Sequence, residues 1–314
     1  MSQLTTNTRA FVEAEQYSDF ILLNLQDGLL PDSFYRNITD FQSGDTLHIK
    51  TVGDVTLQEA AEDTALVYNP IETGEITFSI SDYKGDAWYV TDDLREDGTN
   101  IDMLMSQRSL ASTRAFQEAF ESRYLEVAAL AYPNSDPYLH NGFPHKVVSA
   151  ETNGVFALSH LVKMGLAFNK ANVPAMGRIF IADPIIEATM NLLVNITSDV
   201  SAFAVEILEK GLGNGQRFYK NFYGWDILLS NRLHVATGND GTTSITNGVW
   251  NLFMCILDDQ TKPLMGAIRR MPKVEGERNK DRARDEFITR SRYGFGVQRM
   301  DTLGVLVTHA TNIE

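Results

Sequence analysis

The sequence predicts an α+β fold in which extended segments leave a compact body, and three patterns support this prediction. Residues Thr46–Val52 and Glu75–Tyr83 alternate between apolar and polar side chains with the period of two that is typical of strands. Apolar residues recur at helical spacing from Asn100 to Ala131, where the chain contains neither glycine nor proline. The second half of the chain alternates between strand and helix patterns, which indicates mixed α and β structure.

The first 45 residues predict an extended N-terminal arm. Their apolar periodicity is sparse, and the steps Asp27-Gly28 and Leu30-Pro31 interrupt regular structure. Only the stretch near Asn7 to Glu15 suits a short helix. Arms of this kind usually lie on something else.

Residues 46–86 predict a long two-stranded hairpin with an elaborate tip. The segment that joins the two strand patterns, Leu57 to Gly74, is polar and acidic, and it contains the turn signals Asn69-Pro70 and Thr73-Gly74. An isolated two-stranded hairpin is marginally stable in water. We therefore expect this hairpin to be supported by its own domain or by a neighbouring subunit.

A third strand pattern, Ala87–Thr91, leads towards one long amphipathic helix over residues 100–131. Asn100 is a candidate N-cap, and the Tyr132-Pro133 step ends the helix. At 1.5 Å per residue, about 30 helical residues extend roughly 45 Å. This length exceeds what a compact domain of this size needs.

The second half of the chain predicts a mixture of short elements. The expected helices are Gly154–Asn169, Ile185–Val194, Val200–Lys210 and one that includes Gln260–Arg270. The expected strands are the buried run Gly177–Pro184, the stretch Phe222–Leu233, Leu252–Leu257, Tyr293–Arg299 and Gly304–His309. Loops are expected at Gly211–Gly215 and Ala236–Gly248.

The composition is that of a globular protein. A hydrophobic content of 43% supports a sizeable core. The chain does not open with a basic start and an apolar run, and no window approaches the roughly 18 apolar residues of a spanning helix. We therefore expect a soluble protein without a membrane partner. The single cysteine, Cys255, cannot form an internal disulfide, and we interpret it as a small buried apolar residue.

The net charge of −14 is concentrated in the first hundred residues, which hold five basic and nineteen acidic side chains. Such a surface repels DNA phosphates, which argues against a dedicated nucleic-acid binder. The segment Arg269–Arg292 differs, because nine lysines or arginines there meet five acids. It is either a phosphate-contacting face or an exposed region whose arginines pair with carboxylates of this subunit or the next, and the interspersed acids favour the second interpretation.

No motif in the sequence demands catalysis, a cofactor or a metal. The six histidines form no HExxH motif, and we interpret His140 and His145 as solvated loop residues. Nucleophile elbows and phosphate-binding loops are missing, and the glycines of Gly211–Gly215 follow a predicted helix where a phosphate loop follows a strand. Adjacent carboxylates such as Asp92-Asp93 point apart in extended structure. We expect a protein that is not an enzyme.

Taken in order, these elements resemble a known family. Three segments carry the resemblance: "RIFIADP" (Arg178–Pro184), "GWDILLSN" (Gly224–Asn231) and the late Tyr293-Gly294 pair. Each motif is weak alone, and their order and spacing make the case. The chain resembles the major capsid proteins of tailed bacteriophages, which have the Hong Kong 97-type fold. The first segment departs from the family pattern by one extra residue before its proline.

The resemblance implies a division of the chain and a set of partners. The expected parts are an N-terminal arm (1–45), an extended hairpin loop (46–86), a peripheral domain (87–177 and 265–314) with the spine helix 100–131, and an axial domain (178–264). The protein is then expected to assemble into pentamers and hexamers of an icosahedral head shell that encloses double-stranded DNA without sequence-specific binding. A separate scaffolding protein, a portal and a decoration protein are implied as partners, and the virion, assembled in the host cytoplasm, as its location.

Two other classes of function stay open at this point. A cellular nanocompartment shell of the same fold would hold cargo and no DNA, and a soluble enzyme or binding protein would need a convergent polar pocket. For the capsid, we hypothesise that the acidic hairpin of one subunit meets the basic segment of another. The candidate interface residues are Glu59, Glu62, Asp63, Glu72, Arg269, Arg270, Lys273, Arg282 and Arg284.

Overall fold

The computed structural model describes residues 34–38, 46–53, 57–60, 62–63, 65, 68, 70–71, 73–98, 101–196 and 217–313. Several predictions lie outside these residues: the helix near Asn7–Glu15, the helix Val200–Lys210, the loop Gly211–Gly215, the cap at Asn100 and the candidate interface residue Glu72.

Within the described ranges, helices and strands share the chain. The helices are α1 (Asp92–Asp97), α2 (Ile101–Ala129), α3 (Leu158–Lys170) and α4 (Pro184–Ile196), with a 3-10 turn at Thr152–Gly154. The strands are β1 (Arg36–Asn37), β2 (Thr46–Val52), β3 (Thr73–Ser79), β4 (Asp82–Thr91), β5 (Leu139–His140), β6 (Phe143–Pro144), β7 (Lys146–Val148), β8 (Arg178–Ala182), β9 (Arg217–Phe222), β10 (Trp225–Leu229), β11 (Val235–Asn239), β12 (Ser244–Cys255), β13 (Leu264–Asn279), β14 (Arg284–Val297) and β15 (Leu303–His309).

Two sheets organise the molecule. The larger has the strand order β7-β15-β12-β8-β10-β9, with β11 paired to β12, and the smaller has the order β1-β13-β14-β4. Strands β2 and β3 form a separate hairpin, as do β5 and β6. The long helix α2 packs against both the larger and the smaller sheet, so it is the element that joins them.

Helix α2 confirms the predicted long helix, ending two residues earlier than expected. Its C-terminal residues Leu125, Ala128 and Ala129 are fully buried in a core that includes side chains of both sheets. After the helix ends, the hydroxyl of Tyr132 donates to the carbonyl oxygen of Leu303 at 2.6 Å. This hydrogen bond fixes the chain at the point where the sequence predicted the stop.

Strand β8 is buried on both faces, as predicted, because its alternating side chains enter two different clusters. Ile179 and Ile181 face the core that contains α2. Phe180 and Ala182 face the core beneath α3 and α4, where the Phe180 ring stacks on Phe253 with centroids 4.1 Å apart. A continuous apolar run is what a strand covered on both sides requires.

The predicted hairpin is confirmed, with β2 and β3 paired from Thr46↔Ser79 to Val52↔Thr73. Its base is attached to the smaller sheet, where Phe78 packs against Met265. The backbones approach closely there, since a Cβ at Gly294 would lie 2.6 Å from the carbonyl oxygen of Ser79. The hairpin is therefore anchored at one end, and the connection beyond β2 points away from that anchor.

The helix predicted over Gln260–Arg270 is wrong, because the chain enters strand β13 at Leu264. Residues 264–267 are all buried, packed between neighbours on both sides, so this short apolar run carries no polar face that could mark its period. Periodicity cannot separate a buried strand from a buried helix in such a run. Tertiary packing decides for the strand.

The loop predicted over Ala236–Gly248 is also wrong, because most of it forms the antiparallel pair β11 and β12. The intervening Asp240-Gly241 step makes the turn, and Gly241 adopts a φ of 89° that glycine tolerates. The small and polar residues on both sides suggested a loop, yet the Asn-Asp-Gly signal between two runs was that of a hairpin.

The last two strands belong to different sheets. Strand β14 pairs with β4 and β13 in the smaller sheet, as an expected part of the peripheral domain. Strand β15, by contrast, lies between β12 and β7 in the larger sheet, which otherwise consists of strands from residues 178–264. Strands β7 and β15 thus share a sheet with the segment that was expected to form the axial domain.

Candidate subunit interface

The basic segment Arg269–Arg292 forms most of the antiparallel hairpin β13–β14 rather than a loose region. Arg270 lies opposite Arg292, and Lys273 lies opposite Arg290, with irregular register on either side of Arg270. Side chains directly opposite each other point to the same face of a sheet. The register therefore gathers four cations, Arg270, Lys273, Arg290 and Arg292, which we call the basic face.

The basic face points away from helix α2. Its neighbours on β4 are Tyr83, opposite Arg292, and Gly85, opposite Arg290. The alternate residues of β4 face the helix, since Asp82 binds Arg123 and Asp86 binds Arg108 of α2. Successive residues of a strand point to opposite faces. The cations consequently lie on the uncovered side of the sheet.

A cleft of about 590 Å³ opens beside these cations, lined by Ser81, Tyr83, Arg269, Arg270 and Arg292. Arg270, Lys273 and Arg290 are exposed, and no carboxylate in the described part of the chain pairs with them. Like charges this close repel one another, and solvent and an opposite charge relieve that repulsion. The cleft therefore suits an acidic group from outside the subunit.

The outer end of the β13–β14 hairpin differs, because two of its cations, Arg278 and Arg284, are paired within the subunit. Arg278 binds Asp92 at 2.6 Å and Asp285 at 3.2 Å, and these hydrogen bonds raise the pKa of its guanidinium. Arg284 binds Glu286 at 2.7 Å and lies over the Tyr89 ring at 4.3 Å from its centroid. Of the predicted interface arginines, Arg284 is thus engaged in its own subunit.

The acidic residues of the β2–β3 connection lie at the far end of the other hairpin. Glu59, Glu62 and Asp63, which we call the acidic tip, are exposed. The neighbouring apolar side chains are exposed as well, with Leu57 at 95% and Tyr68 at 98% of full accessibility. Several large apolar side chains exposed together mark an interaction surface, so the connection has the character of a surface that a partner covers.

Sequence reasoning found only part of this site. Arg269, Arg270 and Lys273 are part of it or border it, and Arg282 is exposed on the turn beyond β13. Arg290, Arg292 and Tyr83 were missed, because only the pairing of β13, β14 and β4 brings them together. No local signal in the sequence carries that register.

His145 and the single cysteine lie in the core. The solvated-loop interpretation is wrong for His145, which is fully buried, with its ring stacked on Phe168 at 5.5 Å between centroids. Burial lowers its pKa to about 4. Cys255 is buried, as predicted. In the ranges that the structure describes, no three histidine, cysteine, aspartate or glutamate side chains are grouped to hold a metal ion.

Among the helices described, none has the length and apolarity to cross a membrane.

Comparison with known proteins identifies the family. Residues 73–308 match the model of the phage capsid protein family. No curated protein matches the chain. Solved structures share its fold at low identity, among them the mature capsid of bacteriophage PhiM1 with a TM-score of 0.73, 10% identity, and coverage of 99% of this chain and 97% of that one.

Two further structures show the same fold over nearly their whole length. The capsid of cyanophage P-SCSP1u has a TM-score of 0.68 and 17% identity, and the match covers 98% of this chain and 95% of that chain. The capsid of a native GTA particle has a TM-score of 0.60 and 13% identity, with 99% and 100% covered.

The expected Hong Kong 97-type capsid fold is thereby confirmed, and the nanocompartment alternative is not favoured. The family match covers helix α2, the β13–β14 hairpin and nearly all of both sheets apart from strand β1. The chain belongs to the phage capsid protein family, and its role is structural, as a subunit that forms the shell of a phage head.

Proposed function

We propose that subunits of this head shell are joined by the acidic tip of one subunit, which docks on the basic face of the next. The observation that carries the proposal is the set of three exposed cations, Arg270, Lys273 and Arg290, which have no carboxylate partner in the described part of their own chain. Three exposed acids and several exposed apolar side chains lie in the connection at the far end of the β2–β3 hairpin.

Charged and apolar side chains would contribute differently to the contact. The charges select the partner and the register, since opposite charges attract and like charges reject a wrong alignment. Each exposed ion pair stabilises by less than about 1 kcal/mol. Beside the acidic tip, the apolar side chains Leu57, Tyr68 and Ile71 add burial energy of about 25 cal/mol per Å² of covered area. A closed shell repeats this modest contact many times, and the repetition stabilises the assembly.

The proposed division of labour follows the observed sheets. Residues 46–86 would extend over the adjacent subunit, and the smaller sheet with α2 would form the peripheral domain. Residues 178–264 would form the axial domain at the centre of pentamers and hexamers. Strands β7 and β15, which pair into the larger sheet, would join that axial domain.

The role is proposed to be structural, without catalysis or a cofactor. The acidic chain, with a net charge of −14, would enclose double-stranded DNA without binding its sequence. A separate scaffolding protein, a portal and a decoration protein are proposed partners, in a virion that assembles in the host cytoplasm.

The proposal is tested by reversing charge on one surface and then on both. The variant with Arg270→Glu and Lys273→Glu should fold and fail to form shells. Adding Glu59→Lys and Glu62→Lys to it should restore assembly, because every subunit then carries the reversed pair. The matched control, Lys163→Glu with Lys280→Glu, makes the same change in net charge at exposed sites away from the basic face.

Electron microscopy and sedimentation of the purified particles provide the measurement. Normal shells from the Arg270→Glu, Lys273→Glu variant would overturn the proposal. Loss of shells in the control as well would show that net charge, rather than this contact, governs assembly.

A further inference from the structure

The segment "LLSNRL" (Leu228–Leu233), at the end of β10, binds helix α2 through a cluster of polar side chains. The hydroxyl of Ser230 donates to Glu121 Oε1 at 2.9 Å, and Arg232 Nη2 donates to Glu118 Oε1 at 3.1 Å. Arg114 Nε also donates to Glu118 Oε1, at 2.9 Å. Arg114, Glu118 and Glu121 recur at helical spacing, so one stripe of α2 faces this turn.

The turn itself is tied to the larger sheet. The backbone N–H of Ser230 donates to the carbonyl oxygen of Ala182 in β8 at 3.1 Å. The backbone N–H of Arg232 donates to the Ser230 hydroxyl at 3.3 Å. Ser230 and the side chain of Glu121 are almost fully buried, and Arg232 is largely so. The backbone hydrogen bonds therefore fix the turn to the larger sheet, and its side-chain hydrogen bonds fix the orientation of helix α2.

The opposite side of α2 carries the smaller sheet. Arg108 binds Asp86 at 2.8 Å and Arg123 binds Asp82 at 3.1 Å, and both aspartates belong to β4, which pairs with β14 of the basic face. The direction of α2 relative to the larger sheet thus sets where the basic face stands. Apolar packing is non-directional, whereas hydrogen bonds between charged groups fix an orientation.

We propose that Arg232 is a positioning residue that sets the angle between the two sheets and thereby the curvature of the shell. Its guanidinium lies 3.1 Å from a Glu118 oxygen and 4.0 Å from a Glu121 oxygen, so it spans two carboxylates one turn apart on the helix. A planar fork of donors is suited to this task, and a lysine ammonium does not reproduce it. The inference rests on the capsid role of the chain, and it is independent of the docking proposed for the basic face.

The test compares shell geometry with stability. Arg232→Gln and the milder Arg232→Lys should still assemble, with loss of the uniform shell diameter in cryo-electron microscopy images. Val307→Ala leaves a cavity at β15, three strands away from β10, and serves as the control that lowers stability without removing a polar contact to α2.

The expected result is diameter heterogeneity in the Arg232 variants and uniform shells in Val307→Ala. Uniform shells of parental diameter from Arg232→Gln would overturn the proposal, and so would heterogeneity of the same extent in Val307→Ala. If Arg232→Gln is insoluble, Arg232→Lys decides by the same criterion. Failure of the basic-face proposal would appear as assembly by the Arg270→Glu, Lys273→Glu variant, which leaves this diameter test unaffected.

Discussion

The two halves of helix α2 are held by different chemistry. In the C-terminal half, Leu125 and Ala128 are fully buried among side chains of both sheets. In the N-terminal half, Leu104 and Leu110 are exposed, and the Arg108–Asp86 ion pair of 2.8 Å makes a polar contact with the smaller sheet. The C-terminal half is fixed mainly by a dry core, and the N-terminal half is held by polar contacts that water can replace.

The strands beneath the helix cause this difference. The larger sheet presents Ile181 and Met254 to the C-terminal half of α2, whereas strand β4 presents Asp86 to the N-terminal half. A buried apolar contact loses its full value when either side is truncated, while a part-exposed ion pair contributes little. Substitutions of similar size should therefore have unequal effects in the two halves.

The largest effect is expected from Leu125→Ala, at the centre of the apolar half. Removing this fully buried side chain leaves a cavity and should lower the free energy of unfolding by about 3 kcal/mol. Denaturant titration of the unassembled subunit measures the loss. A change below about 1 kcal/mol would show that the core around α2 is not well packed.

The second largest effect is expected from acid, which should lower the free energy of unfolding through the buried residues His145 and His160. Burial lowers the pKa of both from 6.5 to about 4. The charge of His140 lowers the pKa of His145 further, and Asp301 raises it. Likewise, Lys163 lowers the pKa of His160, and Glu151 raises it. Between those pH values the unfolded chain binds more protons than the folded one, so the free energy of unfolding falls as pH falls.

The expected loss between pH 6.5 and pH 4.5 is about 2 kcal/mol for each histidine. Unfolding titrations at several pH values measure it, and His145→Phe should flatten the pH dependence. The Arg108–Asp86 ion pair of the N-terminal half should persist between pH 6.5 and pH 4.5. Burial raises the pKa of Asp86, but the neighbouring Ser112 hydroxyl and the hydrogen bond and charge of Arg108 outweigh it and lower the pKa below its usual value of 3.8. An identical pH dependence in His145→Phe and the parent would contradict this assignment.

A smaller effect is expected from Asp86→Asn, which removes the ion pair of the polar half. Because both partners are partly exposed, the free energy of unfolding should change by less than about 1 kcal/mol. Hydrogen exchange should nevertheless accelerate at the amides of residues 104–112 and stay unchanged at residues 124–129. Equal acceleration in both segments would mean that the helix opens as one unit.

The smallest effect is expected from Leu110→Ala, whose side chain is 61% exposed. Its free energy of unfolding should remain within about 0.5 kcal/mol of the parent. The same denaturant titration, run beside Leu125→Ala, gives the direct contrast between the two halves. A loss comparable to that of Leu125→Ala would remove the distinction.

The sequence predicted those elements whose pattern is local. The hairpin β2–β3, helix α2 and the buried strand β8 each show their period in a few consecutive residues. The start of β13 was mistaken for a helix, because a fully buried run has no polar face to reveal its period. Strand β11 was mistaken for a loop, because its small residues hide the alternation.

The candidate interface was predictable only in its charge. The excess of basic residues in Arg269–Arg292 marked the segment, but the register that places Arg290 and Arg292 beside Arg270 depends on a pairing across the hairpin. His145 shows the same limit, since its burial depends on α3 and β15, which are distant in sequence. Contacts between distant segments decide both cases.

The most direct test of the docking between subunits is zero-length carbodiimide crosslinking of intact shells. Lys273 is the lysine of the basic face, and such a reagent joins an amine only to a carboxylate in contact with it. Peptide mass spectrometry should find Lys273 linked to Glu59, Glu62 or Asp63 in shells and unlinked in separated subunits. Shells in which Lys273 is unlinked, or linked only to other carboxylates, would contradict the account.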